Sequence, residues 1–155
     1  MYFRILLLVH IAGAIIGFGP AFAFSILGPL SKKLGGPQAL GIMEGILAIQ
    51  KKLLIPVIAF FQPTSGVLLI LEGRWAQNFF SHVWLWVALI LYVIMFYLAV
   101  FQARPGIAGM IGLAKEGKAE TPDFGKLAKR QQTVGPILGV TLLVIIYLMV
   151  MKPGG

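Results

Sequence analysis

The sequence predicts an all-α integral membrane protein, a four-helix bundle with both termini on the outer side (N-out, C-out). Three observations predict it: the composition, four uncharged stretches and the placement of the basic residues. The 155-residue chain is 59% hydrophobic and 12% charged, whereas a soluble domain is roughly 45–50% apolar and about 25% charged. We therefore expect residues 1–155 to form a single transmembrane domain in contact with the lipid bilayer.

Four stretches without Asp, Glu, Lys or Arg are long enough to cross about 30 Å of hydrocarbon as helices. They are residues 5–30, 53–71, 83–101 and 134–151. Each is predicted to be helical, because backbone donors and acceptors in lipid must pair within the segment. Ala21-Phe22-Ala23 imitates a signal cleavage site, but the first stretch exceeds the ~7–15 apolar residues of a secretory signal.

The basic residues predict the orientation. The connections after the first and third stretches hold ten lysines and arginines, whereas Arg4, Arg74 and Lys152 are the three on the other side. Because basic loops stay inside, the first and third connections are predicted to be cytoplasmic, in a multi-pass protein of the plasma (inner) membrane. This placement accounts for the net charge of +8, so no nucleic-acid partner is expected. An outer aromatic belt is predicted from Trp75, Trp84, Trp86, Tyr2 and Tyr147.

The connections and the prolines carry further signals. Pro37 is predicted to start the second helix before residues 39–49, and Thr121-Pro122-Asp123 to start the fourth. The glycine-rich stretch 106–117 is interpreted as an interfacial segment or a mobile loop. Local kinks or helix ends are expected at Pro20, Pro56, Pro63 and Pro136.

Two histidines are the leading candidates for a functional site. His10 lies inside the first stretch and His82 at the start of the third, so the topology places both in the outer leaflet. Ionisable residues inside a membrane are costly and are functional candidates by default. Gly13 and Gly17 share the helix face of His10, which would let a flat group approach the imidazole. These residues predict a possible haem b site, with His10 and His82 as metal ligands. The alternatives are a bare metal ion, or GxxxG helix packing beside a histidine that only hydrogen-bonds a neighbouring helix.

Two weaker signals lie elsewhere in the predicted spans. Met149 and Met151 could bind Cu(I), but side chains at i and i+2 cannot both face inward, so apolar packing is favoured. The polar stretch 62–66 breaks the second helix, because Pro63 leaves the Ala59 carbonyl without its donor. A packed kink is favoured there over a substrate or proton path.

The first helix also resembles a known group of proteins. Leu8-Val9-His10-Ile11-Ala12-Gly13-Ala14, followed by Gly17, resembles the opening of small bacterial four-helix membrane proteins. That group includes a predicted-integral-membrane family, CopD-type copper-resistance domains and HemJ-type protoporphyrinogen oxidases. The resemblance to the HemJ type implies haem b ligation by His10. Ala88 stands where that type has a lysine, so the resemblance does not imply protoporphyrinogen oxidation.

Three functions follow as hypotheses. The first is a haem protein near the outer leaflet that transfers electrons or supports an oxidoreductase as its membrane redox partner. The second is a cofactor-free structural or accessory subunit, with Gly135 and Gly139 packing helices in a homo-oligomer or larger complex. The third is a small transporter subunit that uses the polar stretch 62–66. No carboxylate lies inside a predicted span, which weakens proton-coupled transport.

Overall fold

The computed structural model describes residues 1–73 and 75–153, which are helical apart from short connections. Arg74, one of the three basic residues assigned to the outer side, lies outside the described residues. Four helices are long and apolar enough to cross a membrane, which confirms the predicted all-α membrane fold. They are α1 (Tyr2–Leu34), α2 (Gly36–Glu72), α3 (Val83–Lys115) and α4 (Pro122–Met151). The direction in which they cross stays a prediction.

The helices extend past the predicted spans at one end of the bundle, where α1 joins α2 and α3 joins α4. We call this the basic end. The predicted helix starts are confirmed, since α2 has Pro37 in its first turn and α4 begins at Pro122 after Thr121. The Thr121 hydroxyl does not cap the helix, however; it donates to the Lys118 carbonyl at 2.7 Å.

The glycine-rich stretch 106–117 differs from its sequence interpretation. Instead of a loop or interfacial segment, Arg104–Lys115 is α-helical and continues α3. A Cβ at Gly106 would overlap the Gln131 side chain of α4, and a Cβ at Gly109 would lie 3.1 Å from Leu127. The glycines thus allow α3 and α4 to approach closely, and this packing outweighs their low helix propensity.

Three π-helical turns interrupt the helices, and each ends two residues before a proline. They are Gln50–Leu54 before Pro56, Val57–Phe61 before Pro63, and Leu98–Ala103 before Pro105. A wider turn moves the carbonyls that would otherwise clash with the proline ring. Pro20 and Pro136, by contrast, lie within uninterrupted α-helix.

The four helices form a ring around a central apolar cluster, and a second, smaller cluster of Trp84, Leu85, Ala88 and Leu148 lies toward the end that holds the chain termini. Extended packing joins α1 to α2, and joins α3 to α4 and to the basic-end half of α2, whereas α1 and α4 meet over a short contact. As a result, α1 and α3 lie on a diagonal of the bundle. Every helix contributes to the central cluster, whose buried members are Phe18, Leu54, Ile58, Met95, Ala99, Leu142 and Ile145.

The outer surface of the membrane-spanning helices is largely apolar. Only 17–28% of the most apolar window of each helix is buried. Leu8, Ile15, Phe60, Val93 and Val150 are 65–73% exposed. Because a surface of this kind is stable in hydrocarbon and not in water, the fold is that of an integral multi-pass membrane protein.

Candidate functional site

His10 lies between α1 and α2 and is held there by Ser65. Its Nδ1 is 2.7 Å from the Ser65 Oγ. A Cβ at Gly66 would lie 3.6 Å from His10 Cε1, so the ring rests against this turn of α2. The imidazole is half-buried. His10 therefore makes the cross-helix hydrogen bond that the sequence analysis gives as one of its alternatives.

The other hydrogen bonds of the Ser65 hydroxyl favour one of the two tautomers of His10. The hydroxyl donates to the Phe61 carbonyl at 2.8 Å, with the Gln62 carbonyl at 3.2 Å. With its one proton directed to these carbonyls, Ser65 Oγ is an acceptor for an N–H of His10, and this arrangement favours the neutral ring that carries its proton on Nδ1. Nε2 then carries a lone pair. Histidines that bind metals ordinarily have the other ring nitrogen held in this way.

Gly13 and Gly17 pack directly against α2. A Cβ at Gly13 would overlap the Phe61 ring, and a Cβ at Gly17 would overlap Val57. Both glycines are buried. They act as the small-residue helix-packing motif that the sequence analysis gives as the alternative to cofactor binding. Their packing brings α1 close enough to α2 for the bond between His10 and Ser65.

These contacts test how a haem would fit beside His10. The donor chemistry is suitable, because the imidazole is oriented and Nε2 has a lone pair. The space over Gly13 and Gly17, on which their predicted role in haem binding depends, is filled by Phe61 and Val57. A macrocycle would have to approach His10 from a face other than that of Gly13 and Gly17. The imidazole is therefore the one feature of this site that suits a haem.

His82 lies immediately before α3, which begins at Val83. Its ring centroid is 6.3 Å from that of Trp84. His10 and His82 occupy the same end of the bundle because α1 and α3 run in the same direction. They belong to diagonal helices, and His10 contacts α2, so their pairing on one iron stays a prediction. Among residues 1–73 and 75–153, no group of three or more His, Asp or Glu side chains forms a metal-binding cluster.

The aromatic residues near the start of α3 form a packed cluster. The Trp75 ring meets Trp84 edge-on at 5.5 Å and Phe3 at 5.9 Å, and Lys152 Nζ lies 4.5 Å from the Trp75 centroid. Trp84 is only 2% exposed. The sequence predicts a belt residue facing the membrane boundary at Trp84, whereas the structure makes it a core residue, since its large ring is buried among its neighbours.

The polar stretch 62–66 is α-helical, directly after a π-helical turn, and its Gln62 and Ser65 are buried. The Gln62 N–H donates to the Val57 carbonyl, five residues back. In this register the carbonyl opposite Pro63 is that of Ile58, not that of Ala59 as an α-helix predicts. The Tyr92 hydroxyl of α3 donates to the Ile58 carbonyl. A neighbouring helix thus supplies the donor that proline removes.

The burial of Gln62 in this stretch costs free energy. Gln62 is 6% exposed, and its Oε1 has no hydrogen-bond partner in the described part of the chain. It does not line the cavity described below. The described residues therefore give no support for a substrate path through the stretch 62–66.

The two methionines at the end of α4 face different surroundings. Met149 packs against both apolar clusters of the bundle, whereas Met151 is exposed. This divergence is what helical geometry predicts for positions i and i+2. The two thioethers do not converge on a common site.

A cavity of about 1950 Å³ opens at the basic end of the bundle. Its innermost wall is the apolar core, and its opening is lined by Lys32, Lys33, Lys115 and Glu120. The cavity separates α1 from α4. Small residues border it on both helices, and a Cβ would meet nothing within 4 Å at Gly28, Gly135 and Gly139. The predicted packing face of Gly135 and Gly139 therefore borders open space within this chain.

Gln50 also lines this cavity, and it is not among the candidate residues predicted from the sequence. Gln50 is 6% exposed, and its Oε1 has no partner among the described residues. Its signal is weak in the sequence, because it directly precedes Lys51-Lys52 and looks like part of a solvated basic connection. Only the packing of α2 within the bundle reveals that it is buried.

Comparison with known proteins agrees with this architecture. The family described as predicted integral membrane protein (DUF2269) matches residues 4–153. The chain belongs to this family. It is one of the families that the first-helix motif resembles, and the match does not extend to the CopD type or the HemJ type. No curated protein and no solved structure matches the DUF2269 chain.

Proposed function

We propose that this protein is a membrane haem protein in which His10 ligates the iron of haem b and which serves electron transfer with a membrane redox partner. The hydrogen bond from Nδ1 to Ser65 carries the proposal, because it orients the ring and leaves Nε2 with a lone pair. A hydrogen bond of this kind also raises the basicity of a ligand histidine. Haem iron supplies one-electron chemistry, and the chain holds and orients the imidazole.

The reduced-minus-oxidised absorption spectrum of the detergent-purified protein tests the proposal. With ample haem supply in the expressing cells, we expect b-type bands that disappear in His10→Ala. His82→Ala is the matched control, because it removes the other imidazole. Bands that persist in His82→Ala assign the ligation to His10 alone, and their loss supports the paired site. A colourless wild-type protein would contradict the proposal.

Ser65→Ala tests the positioning of the imidazole separately. Loss of an outer hydrogen bond to a ligand histidine typically costs 10–100-fold in metal affinity, so we expect haem retention to fall by about that factor. Ser25→Ala is the control on the first helix, because Ser25 is exposed and its hydroxyl donates only to the nearby Phe22 carbonyl. Equal retention in the two variants would show that the Ser65 bond does not serve a ligand.

The alternative function is a cofactor-free structural or accessory subunit of the membrane. The observation that favours it is the filled face of α1, where Phe61 and Val57 occupy the space beside Gly13 and Gly17. Crosslinking in native membranes, followed by identification of the joined chains, distinguishes the two functions. A stable partner on a colourless protein supports the accessory role, and haem bands support the first proposal.

A further inference from the structure

We propose that the cavity at the basic end binds an anionic phospholipid, with its headgroup near Lys32, Lys33 and Lys129 and an acyl chain between α1 and α4. All three lysines line the cavity. This site lies in the opposite half of the bundle from His10. The inference therefore does not depend on the haem proposal.

The size and lining of the cavity indicate a long and mostly apolar occupant. Its volume of about 1950 Å³ exceeds the roughly 300–1,000 Å³ typical of sites for small molecules. Most of its inner wall is apolar, with Phe22 and Phe24 on one side and Leu54 and Leu138 on the others. A small hydrophilic anion would leave this wall without contacts, whereas an acyl chain would cover it.

The opening between α1 and α4 gives a lipid lateral access. Gly28 of α1 faces open space, as do Gly135 and Gly139 of α4. Phe22 and Pro136, which also line the cavity, are exposed on the outside of the bundle. The cavity is thus continuous with the surface that faces the hydrocarbon.

The charges around the cavity favour an anionic headgroup. Lys115 is paired with Glu44 at 2.6 Å, whereas Lys32, Lys33 and Lys129 form no ion pair among the described residues. Glu120 is the acidic residue in the described lining. The lining therefore carries an excess of positive charge. A second copy of this chain would bring a like-charged opening to the same place, which is repulsive.

Gln50 adds a polar side chain to the lining of the cavity. Its buried amide oxygen has no donor among the described residues, and a buried unsatisfied amide is costly. The pairs Gly13–Phe61 and Gly17–Val57 set the register of α1 against α2, and this register places Gln50 near the level of Phe24. That depth lies between the lysines and the apolar core, so a headgroup held by the lysines would contact the Gln50 side chain that lines the cavity.

Native mass spectrometry of the delipidated protein tests this site. We expect phosphatidylglycerol to bind more tightly than phosphatidylcholine with the same acyl chains. Lys129→Ala should weaken phosphatidylglycerol binding about fivefold, the effect of one lysine near an anionic lipid surface. Lys51→Ala is the matched control, because it removes the same charge from an exposed lysine that does not line the cavity. Equal binding of the two lipids, or equal effects of the two variants, would overturn the proposal.

Filling the cavity tests its geometry without changing the charge. Gly139→Leu should reduce retention of phosphatidylglycerol at least tenfold, whereas Gly45→Leu should not, because Gly45 also faces open space but lies outside the lining. Gln50→Leu should lower the preference for phosphatidylglycerol while leaving the volume similar. Circular dichroism and gel filtration verify that each variant folds. If Gly139→Leu misfolds, the comparison of Lys129→Ala with Lys51→Ala tests the proposal. A lipid-free dimer joined through Gly135 and Gly139 would assign the face to a second copy and overturn the proposal.

Discussion

At His10 one hydrogen bond determines the chemistry that the side chain can perform. The Ser65 oxygen lies 2.7 Å from Nδ1, and the Ser65 hydroxyl donates a hydrogen bond to the Phe61 carbonyl of α2. The bond between His10 and Ser65 orients the imidazole, and in the neutral ring with Nδ1 protonated it leaves Nε2 available. The same bond joins α1 to α2, so the structural role of His10 and its proposed role as a haem ligand depend on one contact.

Ser65→Ala should lower the free energy of unfolding by about 0.6–1.7 kcal/mol, from the average to the maximum measured for hydrogen bonds between membrane helices. We use this range because the unfolded chain in a membrane also finds partners for its polar groups. Reversible unfolding in mixed micelles gives the value, and a double-mutant cycle with His10→Ala isolates the pair. A coupling energy near zero would show that the bond does not hold the helices together.

At the scale of the elements, glycines and prolines determine how the helices meet. Gly13 and Gly17 allow α1 to lie against Phe61 and Val57. Pro63 follows a π-helical turn whose Ile58 carbonyl is satisfied by Tyr92 of α3. The second helix is thus joined to its neighbours at the places where its sequence departs from ideal α-helix.

Gly13→Ala should destabilise the bundle by roughly 1–3 kcal/mol, because the new methyl group overlaps the Phe61 ring. Gly19→Ala is the matched control on the same helix, since a Cβ there meets nothing within 4 Å. Unfolding in mixed micelles measures both. Phe61→Ala should relieve part of the effect of Gly13→Ala, and the absence of any rescue would contradict the contact.

Tyr92→Phe should cost about 0.6 kcal/mol, the average for a hydrogen bond between membrane helices. The cost should shrink when Pro63→Ala is also present, because an alanine supplies the backbone N–H that Pro63 lacks. A double-mutant cycle measured by unfolding gives the difference. Additive effects of the two substitutions would show that Tyr92 does not compensate for Pro63.

For the whole molecule, the ring of helices creates two distinct ends. The end that holds the chain termini contains the tryptophan cluster and His10. The basic end contains longer helical extensions and the cavity. The positive-inside rule predicts that the basic end is cytoplasmic.

Single-cysteine labelling tests this orientation without background, since the chain has no cysteine. In intact cells a membrane-impermeant maleimide should label Gln77→Cys, which lies in the connection between α2 and α3. It should not label Glu120→Cys, which lies between α3 and α4. Both positions are exposed, and both should react after the membrane is opened. The reverse pattern would invert the topology.

The sequence by itself determined the membrane class, the four helices and the helix starts at Pro37 and Pro122. These features depend on local hydropathy and local backbone chemistry, which act over a few turns. It also placed His10 and His82 at one end of the bundle, because span order alone fixes the depth of a residue.

Only the tertiary structure decided what each helix face contacts. The sequence could not show that Phe61 fills the space beside Gly13, that Ser65 binds His10, or that the stretch 106–117 continues α3. It also gave no sign that Gln50 is buried in a cavity between α1 and α4. Each of these facts depends on how far one helix is rotated against another. That rotation is set by close packing between residues distant in the chain, which local sequence patterns do not encode.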